Sequence, residues 1–172
     1  MNNVASNILR IILVLLLQVF ICNYIHLFGF ITPAFYIIGL LLLPLELPKS
    51  IQYLIGFFCG LFVDMFTHTL GFNTAACTII MFIRPFIVKA LNGRKTSDSV
   101  ERPIPGVKDF KWLVSYVGIL TFVHQLLIVM LETMKLHNFL HTLVAIVGNT
   151  VLTAFLILCA EYIFHPVQGK NK

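Results

Sequence analysis

From Ile11 to Leu45 the chain carries no Asp, Glu, Lys or Arg. As one helix this stretch would reach about 50 Å, well beyond the roughly 30 Å hydrocarbon core of a bilayer. A run this apolar belongs in lipid, and its length requires it to fold back once. His26 to Pro33 is the expected turn, since Gly29 loosens the backbone and Pro33 suits the first turn of a new helix. Arg10 ahead of Ile11–Ile25 imitates a signal peptide, but no small-residue cleavage site follows, so an uncleaved first span is the expectation.

The rest of the chain repeats this pattern. Of 172 residues, 59% are hydrophobic and 11% charged, against roughly 25% charged in a soluble domain. The hydropathy predicts an all-α integral membrane protein, a compact bundle of about six transmembrane helices in a single domain over 1–172. The spans fall at about 8–28, 33–47, 51–66, 72–91, 112–134 and 139–164, with a polar loop over 92–111. The second is short, and Pro44 should disturb its last turn.

Ten Lys and Arg residues lie on one side of these spans, and Lys135 alone lies on the other, which places both termini and the 92–111 loop in the cytoplasm. The net charge of +5 is explained by that loop and by anionic lipid, so nucleic acid is not expected as a partner. Trp112 and Tyr162 fit aromatic anchors at the same interface. Cys22, Cys59, Cys77 and Cys159 lie within apolar runs without metal-ligand spacing and read as reduced packing residues.

Chemistry concentrates between Gly56 and Arg84, GFFCGLFVDMFTHTLGFNTAACTIIMFIR. Gly56, Gly60, Asp64 and His68 recur every four residues and form one stripe on the third helix. Two glycines at this spacing allow close approach of another helix, within the chain or from a partner. The same spacing also arises by chance in apolar sequence.

A carboxylate inside a span is costly, so Asp64 has either a structural role or a part in ion or substrate handling. It is expected to meet Asn73, Thr67 or backbone amides at the turn. Arg84 lies roughly 13 Å deeper and is expected to reach for the inner headgroups. Gly71 is suited to a positive φ and Asn73 to capping the fourth helix.

Gln18, His124, Gln125 and Asn149, with Thr153 one turn after Asn149, are buried polar groups whose simplest role is hydrogen bonding between helices. Glu132 and Lys135 are spaced for a local salt bridge, and Glu161 should lie near enough to the cytoplasmic face to stay hydrated. No nucleophile with a base, HExxH, paired-aspartate site or phosphate-cradling loop is present, and Asp64 with His68 does not complete a metal site. Neither an enzyme nor a cofactor is expected.

Gly56, Gly60, Asp64, Leu70, Gly71 and Asn73, followed by Thr74, Ala75 and Ala76, resemble the rod shape-determining MreD family. Length, span number, inside termini and the basic loop before the fifth span extend the likeness. The resemblance implies a non-catalytic scaffold of the cell-elongation machinery in the bacterial inner membrane. Its partners would be an MreC-like bitopic protein and, directly or indirectly, the peptidoglycan synthase and MreB filaments, within membrane lipid. The rival is a small substrate-binding subunit of a vitamin importer of the energy-coupling-factor type, whose architecture is similar. Such subunits present small residues on the first helix, whereas Ile11–Val19 is bulky here. A pocket would need convergent polar groups, which Asp64, His68, Asn73 and His124 could supply.

Overall fold

A computed structural model describes residues 4–25, 32–92, 110–132 and 139–164. Among these the chain is all-helical. Its elements are α1 (Val4–Phe20) with a short 3-10 turn (Cys22–Tyr24), α2 (Ile37–Leu41), α3 (Lys49–Thr67), α4 (Phe72–Asn92), α5 (Phe110–Glu132) and α6 (Phe139–Phe164). Five helical stretches, all but α2, are long and apolar enough to cross a membrane, and the chain is a multi-pass membrane protein. Their outward surfaces carry Ile, Leu, Val and Phe, as lipid demands, while polar side chains are turned inward. Residues 93–109 of the expected 92–111 loop, the turn over His26–Ile31, Lys135 and Pro166 lie outside the described residues, and the last two residues of that loop, Phe110 and Lys111, are the first of α5.

The second span differs from its expected form. Helix is confined to Ile37–Leu41, where the hydropathy predicts a span over 33–47. The prolines explain this: Pro44 has no N–H to continue the helix, and residues preceding Pro44 and Pro48 are pushed away from helical φ/ψ. Even so, the segment traverses the bundle. Pro33 and Tyr36 bond to Gln18 near the end of α1, a Cβ on Gly39 would lie 3.5 Å from Ile11 Cγ1, and Leu42 and Leu43 share a cleft with Asn7 and Arg10. Residues 32–43 thus run antiparallel to α1, as a broken helix beside the five membrane-length ones.

Irregular backbone at membrane depth is tolerated where protein surrounds it. Tyr36 to Leu43 are buried throughout and form the centre of the core with Cys77, Ile80, Met81, Leu113, Tyr116, Leu120 and Ile157. The long helices pack around this segment, with α4 between α3 and α5, and α6 against α5.

Both described ends meet at the same end of the bundle. Trp112 donates to Asn92 at 2.9 Å, Phe110 contacts Tyr162 with ring centroids 6.0 Å apart, and the charge of Arg10 acts on Glu161. Arg10, Lys49, Lys89 and Lys111 lie at this end, and the other described cation, Arg84, is buried. Glu161 is also buried, at 2% exposure, rather than hydrated as its position near the end of the last span led one to expect. Its helix turns it inward, where the charge of Arg10 reaches it.

Candidate functional site

The α3–α4 hairpin is built on the stripe of small residues. A Cβ on Gly60 would lie 2.5 Å from the Thr74 Cα and 2.6 Å from the Asn73 carbonyl oxygen, so the two backbones touch there. One turn earlier, a Cβ on Gly56 would lie 2.7 Å from Met81 Cγ and 3.1 Å from the Cys77 carbonyl oxygen. Both glycines therefore serve helix packing inside the chain. The stripe also extends one turn further back than the glycine spacing indicated, to Gln52, which is buried on the same face.

Asp64 completes this face and accepts five hydrogen bonds. Oδ1 takes the backbone N–H of Asn73 at 3.1 Å, the Asn73 amide at 3.0 Å and the Thr69 hydroxyl. Oδ2 takes the Thr74 backbone N–H at 2.8 Å and the Thr74 hydroxyl at 2.5 Å. The carboxylate thus caps the N-terminus of α4 from a different helix, satisfying orphan N–H groups and opposing the positive end of the helix dipole. Asn73, expected as that cap, instead lies inside the first turn and turns its side chain to Asp64, Thr69 and Tyr36. Thr67, another expected partner of Asp64, donates to the Val63 carbonyl.

The chain reverses between the two helices through left-handed backbone. His68 ends α3 with φ 54° and Gly71 has φ 87°. The fourth member of the stripe therefore sits past the helix, exposed, and does not join the α3–α4 contact.

Arg84 lies at the opposite end of the hairpin, at 0% exposure, and does not reach the headgroups. Its guanidinium donates to the Leu41 carbonyl at 3.0 Å, the Leu43 carbonyl, Gln52 Oε1 at 3.1 Å and the Tyr116 hydroxyl at 2.7 Å. Tyr116 in turn donates to the Leu41 carbonyl at 3.0 Å, and Gln52 to that of Leu47 at 2.8 Å. These carbonyls lie where Pro44 ends α2, so Arg84 serves as the C-terminal cap of the broken helix.

The start of the broken segment is held in the same way. Gln18 donates to Pro33 O at 3.0 Å and accepts from Tyr36 N at 3.2 Å; Asn149 accepts from Thr32 N at 2.8 Å and Thr153 from Ala34 N at 3.1 Å. Gln125 donates weakly to Thr153 at 3.5 Å. Gln18, Arg84 and Thr153 thus bond to the backbone of a segment that hydropathy alone assigns to regular helix, and Asn149 to the residue just before it.

Three of these groups also line a polar cavity of about 200 Å³ between α1, the 32–36 segment, the α3–α4 turn, α5 and α6, at the end remote from the termini. Its walls include Gln18, Tyr36, Asn73, His124, Gln125 and Asn149, with the exposed Glu132 among the lining residues. The Tyr36 hydroxyl bonds to Asn73 Oδ1 at 3.0 Å and to His124 Nε2 at 2.8 Å, linking the hairpin to α5. His124 is 0% exposed and its Nδ1 has no hydrogen-bond partner.

Tyr36, Tyr116, Gln52 and Thr74 were missed as site residues, although Tyr116 shares a helix face with His124 two turns on and Gln52 shares one with Gly56. Among the described residues no three His, Cys, Asp or Glu side chains gather to hold a metal. Comparison with protein-family models, curated protein sequences and solved structures finds no match for the chain.

Proposed function

We propose that this protein is a non-catalytic scaffold of the bacterial cell-elongation machinery, of the MreD type, residing in the inner membrane with both termini in the cytoplasm. The observation that carries the reading is the coincidence of motif and architecture. Gly56, Gly60, Asp64, Gly71 and Asn73, five of the residues that carry the resemblance, pack, cap or turn the α3–α4 hairpin. Residues in these roles set the shape of a bundle rather than form a reaction centre, which is what a scaffold requires. The cytoplasmic orientation is supported by the four described surface cations, all at the end where α1 begins and α6 ends.

In this role the bundle binds an MreC-like bitopic protein through contacts within the membrane, and through it supports the peptidoglycan synthase and MreB. The test is depletion in the native bacterium with complementation by the wild-type gene. Rounded cells, restored to rods by the wild type, are expected; normal rods would overturn the proposal. A second reading, the substrate-binding subunit of a vitamin importer, is favoured by the polar cavity alone. It predicts normal rods and defective vitamin uptake on the same depletion.

A further inference from the structure

Two of the surface cations, Lys49 and Lys89, share one face of the α3–α4 hairpin, as the register of its helices requires. Gly60 faces Asn73 and Thr74, Gly56 faces Cys77 and Met81, and Gln52 bonds to Arg84 at 3.1 Å. Carried on by one turn, this antiparallel register brings Lys49 level with about residues 85–88 of α4, so Lys89 lies within a turn of it. The aromatic rings identify the face. Tyr53, one turn after Lys49, packs on Phe82 with ring centroids 6.1 Å apart, and Phe82 packs on Phe86 at 5.7 Å. Lys89 follows Phe82 by seven residues, a spacing that returns a helix to nearly the same direction. Helical side chains lean toward the N-terminus of their helix, which carries Tyr53 toward Lys49.

Both lysines, Phe82 and Phe86 are exposed. Among the described residues neither lysine has an ion-pair partner, and the Tyr53 hydroxyl has no hydrogen bond. The other cations of this end are placed differently: Arg10 bonds to Asn7 and acts on Glu161, and Lys111 lies in the first turn of α5. Of the described acids, Asp64 and Glu132 lie at the opposite end and Glu161 is buried, which leaves Glu46, ahead of α3, as the acid near the pair. In sequence, the first charges after Lys89 are Arg94 and Lys95, ahead of any acid. Two cations above an exposed apolar face with a free phenol between them complement a ligand that is anionic at one end and hydrocarbon at the other. We propose that this face is a binding site for an anionic phospholipid. Lys49 and Lys89 hold its phosphate by charge-assisted hydrogen bonds, the Tyr53 hydroxyl donates to a phosphate or ester oxygen, and an acyl chain lies along Phe82 and Phe86. A zwitterionic lipid brings its own cation to the phosphate and gains less from the lysines. The site rests on the hairpin alone, so its failure leaves the scaffold proposal to be decided by depletion.

The test uses the full chain purified in detergent, with native mass spectrometry counting bound lipid as dioleoyl-phosphatidylglycerol or, separately, dioleoyl-phosphatidylcholine is titrated in. The two lipids share their acyl chains and phosphate and differ in net charge. Phosphatidylglycerol should bind about tenfold or more tighter. Lys49→Gln and Lys89→Gln should each weaken it about fivefold and the double variant about twenty-fivefold, with thermal unfolding unaltered because both positions are exposed. Lys111→Gln, at the same end but on another helix, should change it by no more than about twofold. Replacing both lysines by arginine should keep the preference for phosphatidylglycerol, and glycerol phosphate, which has the headgroup charge without the chains, should not displace the lipid. Equal affinities for the two lipids, undiminished phosphatidylglycerol binding in the double Gln variant, an equal loss in Lys111→Gln, or displacement by glycerol phosphate would each overturn the proposal.

Discussion

At Gly60 a hydrogen is all that fits between two helices, because the atoms facing it are backbone and cannot rotate away. At Gly56 the nearest obstacle is a methionine side chain, which is flexible and adapts readily. The two glycines share a motif but differ in tolerance. Gly60→Ala should destabilise the protein by about 1–3 kcal/mol, the range for overpacking, and Gly56→Ala by distinctly less. Thermal unfolding of both variants in one detergent checks this, and equal shifts would refute the distinction. Gly60→Leu should prevent the hairpin from closing, so any loss of partner binding in that variant reports a broken bundle rather than a lost surface. The costs at Asp64 follow the same local reasoning, since removing the carboxylate orphans several donors at once rather than deleting one bond.

At the scale of elements, the informative one is the shortest. A five-residue helix ended before Pro44 leaves carbonyls that no intrahelical N–H can reach, and in hydrocarbon each would cost several kcal/mol. Arg84 suits this position because its planar fork reaches Leu41, Leu43, Gln52 and Tyr116 together. Lysine offers a single nitrogen, so Arg84→Lys should cost roughly 2–4 kcal/mol despite keeping the charge. Hydrogen exchange should show residues 37–43 losing protection first, with the α3–α4 hairpin still protected; undiminished protection at 37–43 would remove Arg84 from this role.

The element also marks where sequence reading stops. The ends of α3, α4 and α6 were legible because long apolar runs bounded by Pro48, Gly71 or charges leave little choice, and the partnership of Asp64 with Asn73 followed from their closeness across a short turn. Arg84 was misread because depth along its own helix brings it close to the headgroups. What holds it inside is carbonyl groups of a segment some forty residues away in sequence, which no local pattern reveals. Tyr36 and Tyr116 were overlooked for a related reason. A tyrosine in an apolar run reads as an aromatic, and the position of its hydroxyl depends on tertiary packing.

For the whole molecule, the number of passages and the placement of the termini are one question. Five long helices alone would put the ends on opposite sides of the membrane. The broken segment removes that parity problem, because it runs from the level of Gln18 back to that of Asn7 and Arg10, which lets α3 start at the same end as α1. From there α3 to α6 alternate and bring Phe110 and Tyr162 together near Arg10 and Glu161. Fusing a reporter that functions only in the cytoplasm to either terminus should therefore give the same result at both ends. With the cations gathered at that end, the result should be activity. A reporter inserted at Lys135, between α5 and α6, should be silent. Opposite results at the two termini would mean that residues 32–47 enter and leave on one face, and the capping roles of Gln18 and Arg84 at the two levels of that segment would fail with them.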